Sequence, residues 1–480
     1  MQLNADEFRR LGHRAVELAA AHLEELPAKP VFQRMREDER EAITGLPLAD
    51  QSLSGDEILR FVSEQILSHP MGNGHPRFFG WVNSPPAPIG VLMEMLAAAM
   101  NPSCAGGDHA AIYLEHCVVR WLMELLEFPR ESSYGLLVSG SSMASLTALA
   151  AARHRAFRNQ GLDVRKDGVG GRPLRLYAST ETHACVQKTV ELLGLGSDAV
   201  RWIESNESGQ IRLDCLREAI ETEQDRLPFC VVGNAGTVAS GAIDPLDGIA
   251  DIVRQFGLWF HVDGAYGAVG RLDPNVAPLF RGMERADSLA LDPHKWLSTP
   301  VECGCVLVRD GQLLRDTFSL VPPYVRTEPG KGIGNLPWFA EYGFQQTRGF
   351  RALKLWATLA HSGREGLAAQ IVRHNQLARH LERRIETSPE LELCSKGNLS
   401  IVCFRYRPAE LAQEEAALDA LNKQVMEQMQ SGGVAFLTGA TLRGRFVLRA
   451  CILHYATTER DLDVMLKAVG TIAQELAHTN

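Results

Sequence analysis

The sequence predicts an α/β protein with a mostly parallel central sheet, a small C-terminal α/β domain and an N-terminal helical segment. From about residue 85 to about residue 349, short apolar runs of strand character alternate with helix-like segments, the pattern of parallel strands joined by crossover helices. The residues best suited to chemistry, Ser141, His183, Thr237, Asp263 and Lys295, each follow one of those runs, where open α/β sheets hold their ligands. Beyond Phe350 the pattern changes to one long helix followed by a few further strands and helices, enough for a second, smaller layer. With 480 residues, 45% of them hydrophobic, the chain can bury a large core with attached parts, and the expected division is 1–84, 85–349 and 350–480.

Asn4-Ala-Asp-Glu7 forms a capping-box pattern, and Phe8, Leu11, Ala15, Leu18, His22 and Leu26 recur at helical spacing until Pro27 and Pro30 end the run. The apolar face of this terminal helix packs either on its own chain or on a second subunit. Strands are expected at 135–139, 175–179, 200–204, 229–233, 258–263, 288–291 and 304–308. A long helix starts near Phe350 and turns Leu353, Trp356 and Leu359 to one face. Strands at 399–405, 433–437 and 445–453, with helices at 414–429 and 458–476, complete the small domain.

The segment Ser288-Leu-Ala-Leu-Asp-Pro-His-Lys-Trp296 delivers Lys295 from the end of an apolar strand, with a histidine directly before it. A partly desolvated lysine beside positive charge is a nucleophile toward carbonyl carbon, the aldehyde of pyridoxal phosphate included. Leu258-Trp-Phe-His-Val-Asp-Gly-Ala-Tyr-Gly267 ends in Asp263 and then in small residues, so a flat ring can approach a carboxylate able to keep a pyridinium nitrogen protonated. Read alone, Asp263 caps a turn equally well. In Gly135-Leu-Leu-Val-Ser-Gly-Ser-Ser-Met-Ala-Ser145 a strand runs into an alanine-rich helix, placing Ser141 and Ser142 where free N–H groups favour a phosphate or where serines simply cap. His183 stands in the turn before the next helix, suited to stacking on a ring or to ordinary helix-start bonding.

This ordered set resembles the group II pyridoxal-phosphate-dependent decarboxylases, which include aromatic-L-amino-acid, histidine and glutamate decarboxylases. The resemblance runs from His75-Pro-Arg-Phe-Phe79 to Phe446-Val-Leu-Arg449, and its most specific parts are His-Val-Asp-x-Ala-Tyr, Pro-His-Lys-Trp and Gly349-Phe-Arg-Ala-Leu-Lys-Leu-Trp356. It implies an aspartate-aminotransferase-like, fold type I enzyme that binds pyridoxal 5'-phosphate and decarboxylates an L-amino acid, with an aromatic substrate expected. It further implies Lys295 as the Schiff-base lysine, Asp263 at the ring nitrogen, His183 and Ala265 on opposite ring faces, and Ser141, Ser142 and Ser288 near the phosphate. His294 is placed beside cofactor and substrate, Thr237 beside the cofactor and Trp81 in the substrate pocket. A homodimer follows, with the N-terminal segment wrapping the other protomer and the active site at the subunit interface.

The chain departs from that pattern at three positions. Met143 replaces a common glutamate, and Asp292 replaces the asparagine that precedes Pro-His-Lys in animal aromatic decarboxylases. Counted back without gaps from Phe350, the family's mobile-loop tyrosine falls on Phe339, which cannot donate a proton. That substitution makes oxidative decarboxylation and deamination to an aldehyde the alternative outcome. With a gap in the count, Tyr342 or Tyr324 takes the position. An aminotransferase would share the lysine and aspartate but calls for an arginine at the substrate carboxylate, and a non-catalytic cofactor-binding protein would show no turnover.

A formal charge of −9 argues against nucleic acid as a partner. The N-terminus lacks the basic and apolar regions of a signal peptide, and no apolar run is long enough to span a bilayer, so a cytoplasmic location without membrane association is expected. The ten cysteines are dispersed, Cys303 and Cys305 being close neighbours on one strand face, and they read as reduced packing groups with no metal site.

Overall fold

The computed structural model describes residues 3–48, 50–320, 338–411 and 413–479. Helices α1 (Ala5–Glu25), α2 (Glu37–Thr44) and α3 (Gly55–Phe61) open the chain, followed by α4 (Pro88–Met100) and α5 (Ala110–Leu125). The capping expected at Asn4 is present, its side chain accepting from the Glu7 N–H at 2.8 Å. The sheet region then contributes β1 (Tyr134–Val138), α6 (Ser141–Asn159), α7 (Val164–Asp167), β2 (Leu174–Ser179), α8 (Cys185–Leu192), β3 (Val200–Ile203) and α9 (Leu213–Glu221). It continues through β4 (Leu227–Asn234), α10 (Leu246–Phe256), β5 (Trp259–Asp263), β6 (Ser288–Leu291), β7 (Gly304–Val308) and α11 (Gly311–Phe318). Last come α12 (Arg351–Glu386), β8 (Leu391–Ser395), β9 (Ile401–Tyr406), α13 (Glu415–Gly432), β10 (Thr438–Leu442), β11 (Arg445–Cys451) and α14 (Glu459–Thr479).

The large sheet has seven strands in the order β1-β7-β6-β5-β4-β2-β3. Neighbours pair in parallel except at β7, which is antiparallel to both β1 and β6. All strands other than β7 therefore point the same way and end on one edge. β4 to β7 are buried almost throughout, as strands covered on both faces must be. Helix α6 presents Ala144, Ala148, Ala151 and Ala152 as buried residues, and small side chains let its backbone lie close to the sheet. A β-carbon on Gly304 of β7 would collide with the backbone of Gly140, so the turn leading into α6 rests directly on the sheet.

The smaller sheet has the order β10-β11-β9-β8. The expected strand at 433–437 lies instead at Thr438–Leu442, because Gly433, at φ 71°, ends α13 in a left-handed cap. Strand β8 was not expected; it is short and mostly half-buried at the sheet's edge. The long helix α12 is broken at Gly363, where φ is 64°. By compactness the chain forms two units, residues 1–81 with 379–394 and 402–480, and residues 82–378 with 395–401. Among the described residues no helix is long and apolar enough to cross a membrane.

Candidate active site

The parallel strands bring the chemistry to one edge of the large sheet. Lys295 stands four residues past the end of β6, on a turn closed by its own N–H donating to the Asp292 carbonyl at 2.9 Å. The next residue, Trp296, is 1% exposed; its ring stacks on Tyr266 at 4.9 Å and its Nε1 donates to His374 Nδ1 at 2.9 Å. A buried aromatic thus anchors the backbone from which a half-buried lysine projects. Lys295 Nζ lies 3.0 Å from Asp292 Oδ2, and His294 Nε2 lies 3.9 Å from the same oxygen. His294 Nδ1 is fixed by the backbone of Cys303, at 2.8 Å from its carbonyl and 3.1 Å from its N–H.

Asp263 ends β5 between Asn234 of β4 and Ala290 of β6, and is 7% exposed. Its Oδ1 accepts from the Ala265 N–H at 3.1 Å, and the Ala265 carbonyl accepts from the Asp292 N–H at 3.2 Å, which links the aspartate turn to the lysine turn. Beneath them Cys185 is buried; lost solvation, aided by the Asp263 charge, pushes its thiol up to about 12. His183 is exposed in the turn before α8, with Nδ1 accepting the Cys185 N–H at 3.2 Å. The first turn of α6 supplies a buried Ser141, whose Oγ has no hydrogen-bond partner among the described residues, and an exposed Ser142. A buried hydroxyl without a partner at a helix N-terminus is an incomplete anion site.

Three expected site residues, Ser288, Thr237 and Phe339, have side chains engaged elsewhere. Ser288 stands at the amino end of β6, fully buried, its hydroxyl accepting from Trp259 Nε1 at 2.8 Å and lying 2.9 Å from His261 Nδ1. It belongs to a polar chain inside the sheet and does not reach the edge where Lys295 emerges. The Thr237 hydroxyl is turned into its own loop, accepting from the Ala242 N–H at 3.1 Å. Phe339 is fully buried, 4.6 Å from the His116 ring, 6.0 Å from Tyr134 at the amino end of β1, and 4.8 Å below the Arg348 guanidinium. A side chain so enclosed is a core residue, and the structure does not bring it to the catalytic edge. Trp81, in the unit formed by residues 1–81, 379–394 and 402–480, is 49% exposed, lies 5.3 Å from the Phe436 ring and accepts a 2.8 Å bond from Arg449 at its carbonyl.

Of the alternative tyrosines, Tyr342 stacks on Tyr134 at 3.8 Å, whereas Tyr324 lies outside the described residues. Two polar arrangements carried no local signal in the sequence. Arg348 and Glu115, both buried, form an ion pair, and Arg348 also donates to the carbonyls of Cys104 at 2.8 Å and Leu137 at 2.6 Å. His261 lies between Ser288 and Ser145, the latter 3.3 Å from Nε2, and burial lowers its pKa to about 4, so the ring is neutral.

The description "pyridoxal-dependent decarboxylase conserved domain" matches residues 46–407. The chain belongs to this family. It is a decarboxylase of amino acids that depends on pyridoxal phosphate. Across 99% of its length it is 33% identical to an aromatic-L-amino-acid decarboxylase of Bacillus atrophaeus, of which 98% is covered. It is 27% identical to a phenylacetaldehyde synthase of a Rosa hybrid cultivar, over 99% of this chain and 96% of that one. Its fold matches the crystal structure of Oryza sativa TDC with PLP and tryptamine at a TM-score of 0.91, with 26% identity and 99% of each chain covered. The residues present fit the cofactor: a lysine amine, a carboxylate at a strand end, small residues beside it and an unsatisfied serine at a helix N-terminus are groups that would suit its aldehyde, ring and phosphate.

Proposed function

We propose that this decarboxylase converts an aromatic L-amino acid to the corresponding amine and carbon dioxide. The observation that carries the reading is the delivery of Lys295, Asp263, His183 and Ser141 to one edge by parallel strands. Bound pyridoxal phosphate supplies a ring that accepts the electron pair of the breaking Cα–carboxylate bond. Lys295 holds its aldehyde carbon, Asp263 its ring nitrogen in the protonated form, and Ser141 and Ser142 its phosphate. His183 and Ala265 pack on the two ring faces and keep water off the reacting carbon. His294, held by Cys303, faces the substrate together with Lys295. The aromatic substrate class is supported by the names of the similar proteins.

Aldehyde formation is the second reading, favoured by likeness to phenylacetaldehyde synthases. Its net reaction takes the amino acid, dioxygen and water to aldehyde, carbon dioxide, ammonia and hydrogen peroxide. The burial of Phe339 supports the amine reading, because the residue that suggested a missing proton donor is a packing residue. We also propose a homodimer with the active site at the subunit interface, the N-terminal segment 1–84 packing on the second copy and 85–349 and 350–480 forming the cofactor-binding and small domains. The exposed apolar residues Leu92, Met95, Leu96 and Met100 of α4 and Phe8 of α1 support an extensive contact. Sedimentation of the holoenzyme as a monomer at micromolar concentration would sink the dimer.

An aerobic assay of the cofactor-loaded protein with aromatic, acidic and basic amino acids tests the reaction. Amine equal to carbon dioxide from an aromatic substrate is expected; aldehyde with peroxide selects the second reading, and turnover only of acidic or basic substrates refutes the aromatic class. Lys295→Ala abolishes both turnover and the absorbance of lysine-bound cofactor, and an unchanged spectrum overturns its role.

A further inference from the structure

We propose that Asp292 limits the affinity of this enzyme for the phosphate end of its cofactor while holding Lys295 in place. Asp292 is 6% exposed and is fixed at its backbone N–H by the Ala265 carbonyl at 3.2 Å. One carboxylate oxygen, Oδ2, lies 3.0 Å from Lys295 Nζ and 3.9 Å from His294 Nε2. The other, Oδ1, is buried without a hydrogen-bond partner among the described residues, and lies 3.7 Å from where a β-carbon on Gly140 would stand. Gly140 is the N-cap of α6, so this bare oxygen faces the turn whose N–H groups and Ser141 hydroxyl form the anion site. The inference rests on the reading that the phosphate lies there.

The two oxygens do opposite things. Oδ2 clamps the lysine across its own turn, so Nζ is oriented before any cofactor arrives. Oδ1 presents negative charge to a second anion in a site that excludes water, where like charges repel strongly. An amide of the same shape would remove the repulsion and could donate to a phosphate oxygen. Occupancy of this enzyme therefore follows the free cofactor concentration more closely than it would with asparagine at this position.

The test compares binding of pyridoxal phosphate with that of pyridoxal, which shares the aldehyde and ring but lacks the phosphate. Dissociation constants are read from the absorbance of the lysine-bound chromophore in cofactor-stripped wild type, Asp292→Asn and Ser141→Ala. Asp292→Asn is expected to tighten pyridoxal phosphate about tenfold relative to pyridoxal. Because both ligands engage Lys295, a change in the lysine itself cancels in that ratio. A ratio unchanged or lowered in Asp292→Asn, with Ser141→Ala lowering it, overturns the role of Asp292 and leaves the phosphate site standing. A ratio unchanged in Ser141→Ala removes the phosphate from this turn, and the inference falls with it.

Discussion

Replacing Arg348 by methionine should destabilise the protein by roughly 3–5 kcal/mol, the usual cost of removing one partner from a buried ion pair. Glu115 has no solvent exposure, and Arg348 is 4% exposed. Without the guanidinium, the Glu115 carboxylate keeps the Leu137 N–H at 3.0 Å but loses its counter-charge, and the carbonyls of Cys104 and Leu137 lose a donor. These losses share one side chain and do not add. At about 2 °C per kcal/mol for a large domain, the apparent Tm at fixed scan rate should fall by roughly 6–10 °C. Arg348→Met combined with Glu115→Leu should recover most of that loss, because no charge is then left buried. The functional consequence follows from position: Leu137 is held at both its N–H and its carbonyl, and two residues later the chain enters the turn to α6. The single variant should therefore also bind pyridoxal phosphate more weakly. A loss of less than about 1 kcal/mol, or a double variant no more stable than the single one, would refute the reasoning.

Other consequences are open to measurement. His261 titrates near 4 in the folded protein and near 6.5 unfolded, so acidification loads a proton onto the unfolded chain first, and stability is lost as pH falls from 6.5 toward 4. The full window is worth about 3 kcal/mol. Asp244, which burial pushes up to about 6, acts in the opposite direction, so the histidine is read from the pH slope of wild type minus His261→Gln; parallel curves would exclude it. Gly304→Ala should push the Gly140 turn off β7 and weaken pyridoxal phosphate more than pyridoxal, and equal weakening of the two would count against it. Phe339→Tyr should cost about 1–3 kcal/mol by overfilling a packed site, with no change in product. If Tyr324 provides the proton, Tyr324→Phe should divert product from amine to aldehyde and peroxide, and an unaltered ratio would rule it out.

What could be read from the sequence and what could not separates along physical lines. The strands of the large sheet were legible because runs such as Leu258–Asp263 are apolar on both faces and end in turn residues, and Lys295 and Asp263 were legible because parallel strands deliver their following residues to one edge. Ser288, which the resemblance puts near the phosphate, opens an extended strand that separates it from Lys295, and its hydroxyl is spent on Trp259 and His261. Phe339 misled because a count back from Phe350 without gaps assumes a constant chain length across 339–350, whereas its burial against His116 depends on packing. Arg348 and Glu115 were invisible because they are 233 positions apart and neither has a local motif. Asp292 lies between these cases. Its identity as an acid in the lysine turn was plain from the sequence, but only the geometry divides its two oxygens, one spent on the lysine and one facing the α6 turn. If the phosphate lies at the α6 turn as proposed, the charge is a liability on any pairwise account, and it stands together with a second task, the orientation of Lys295.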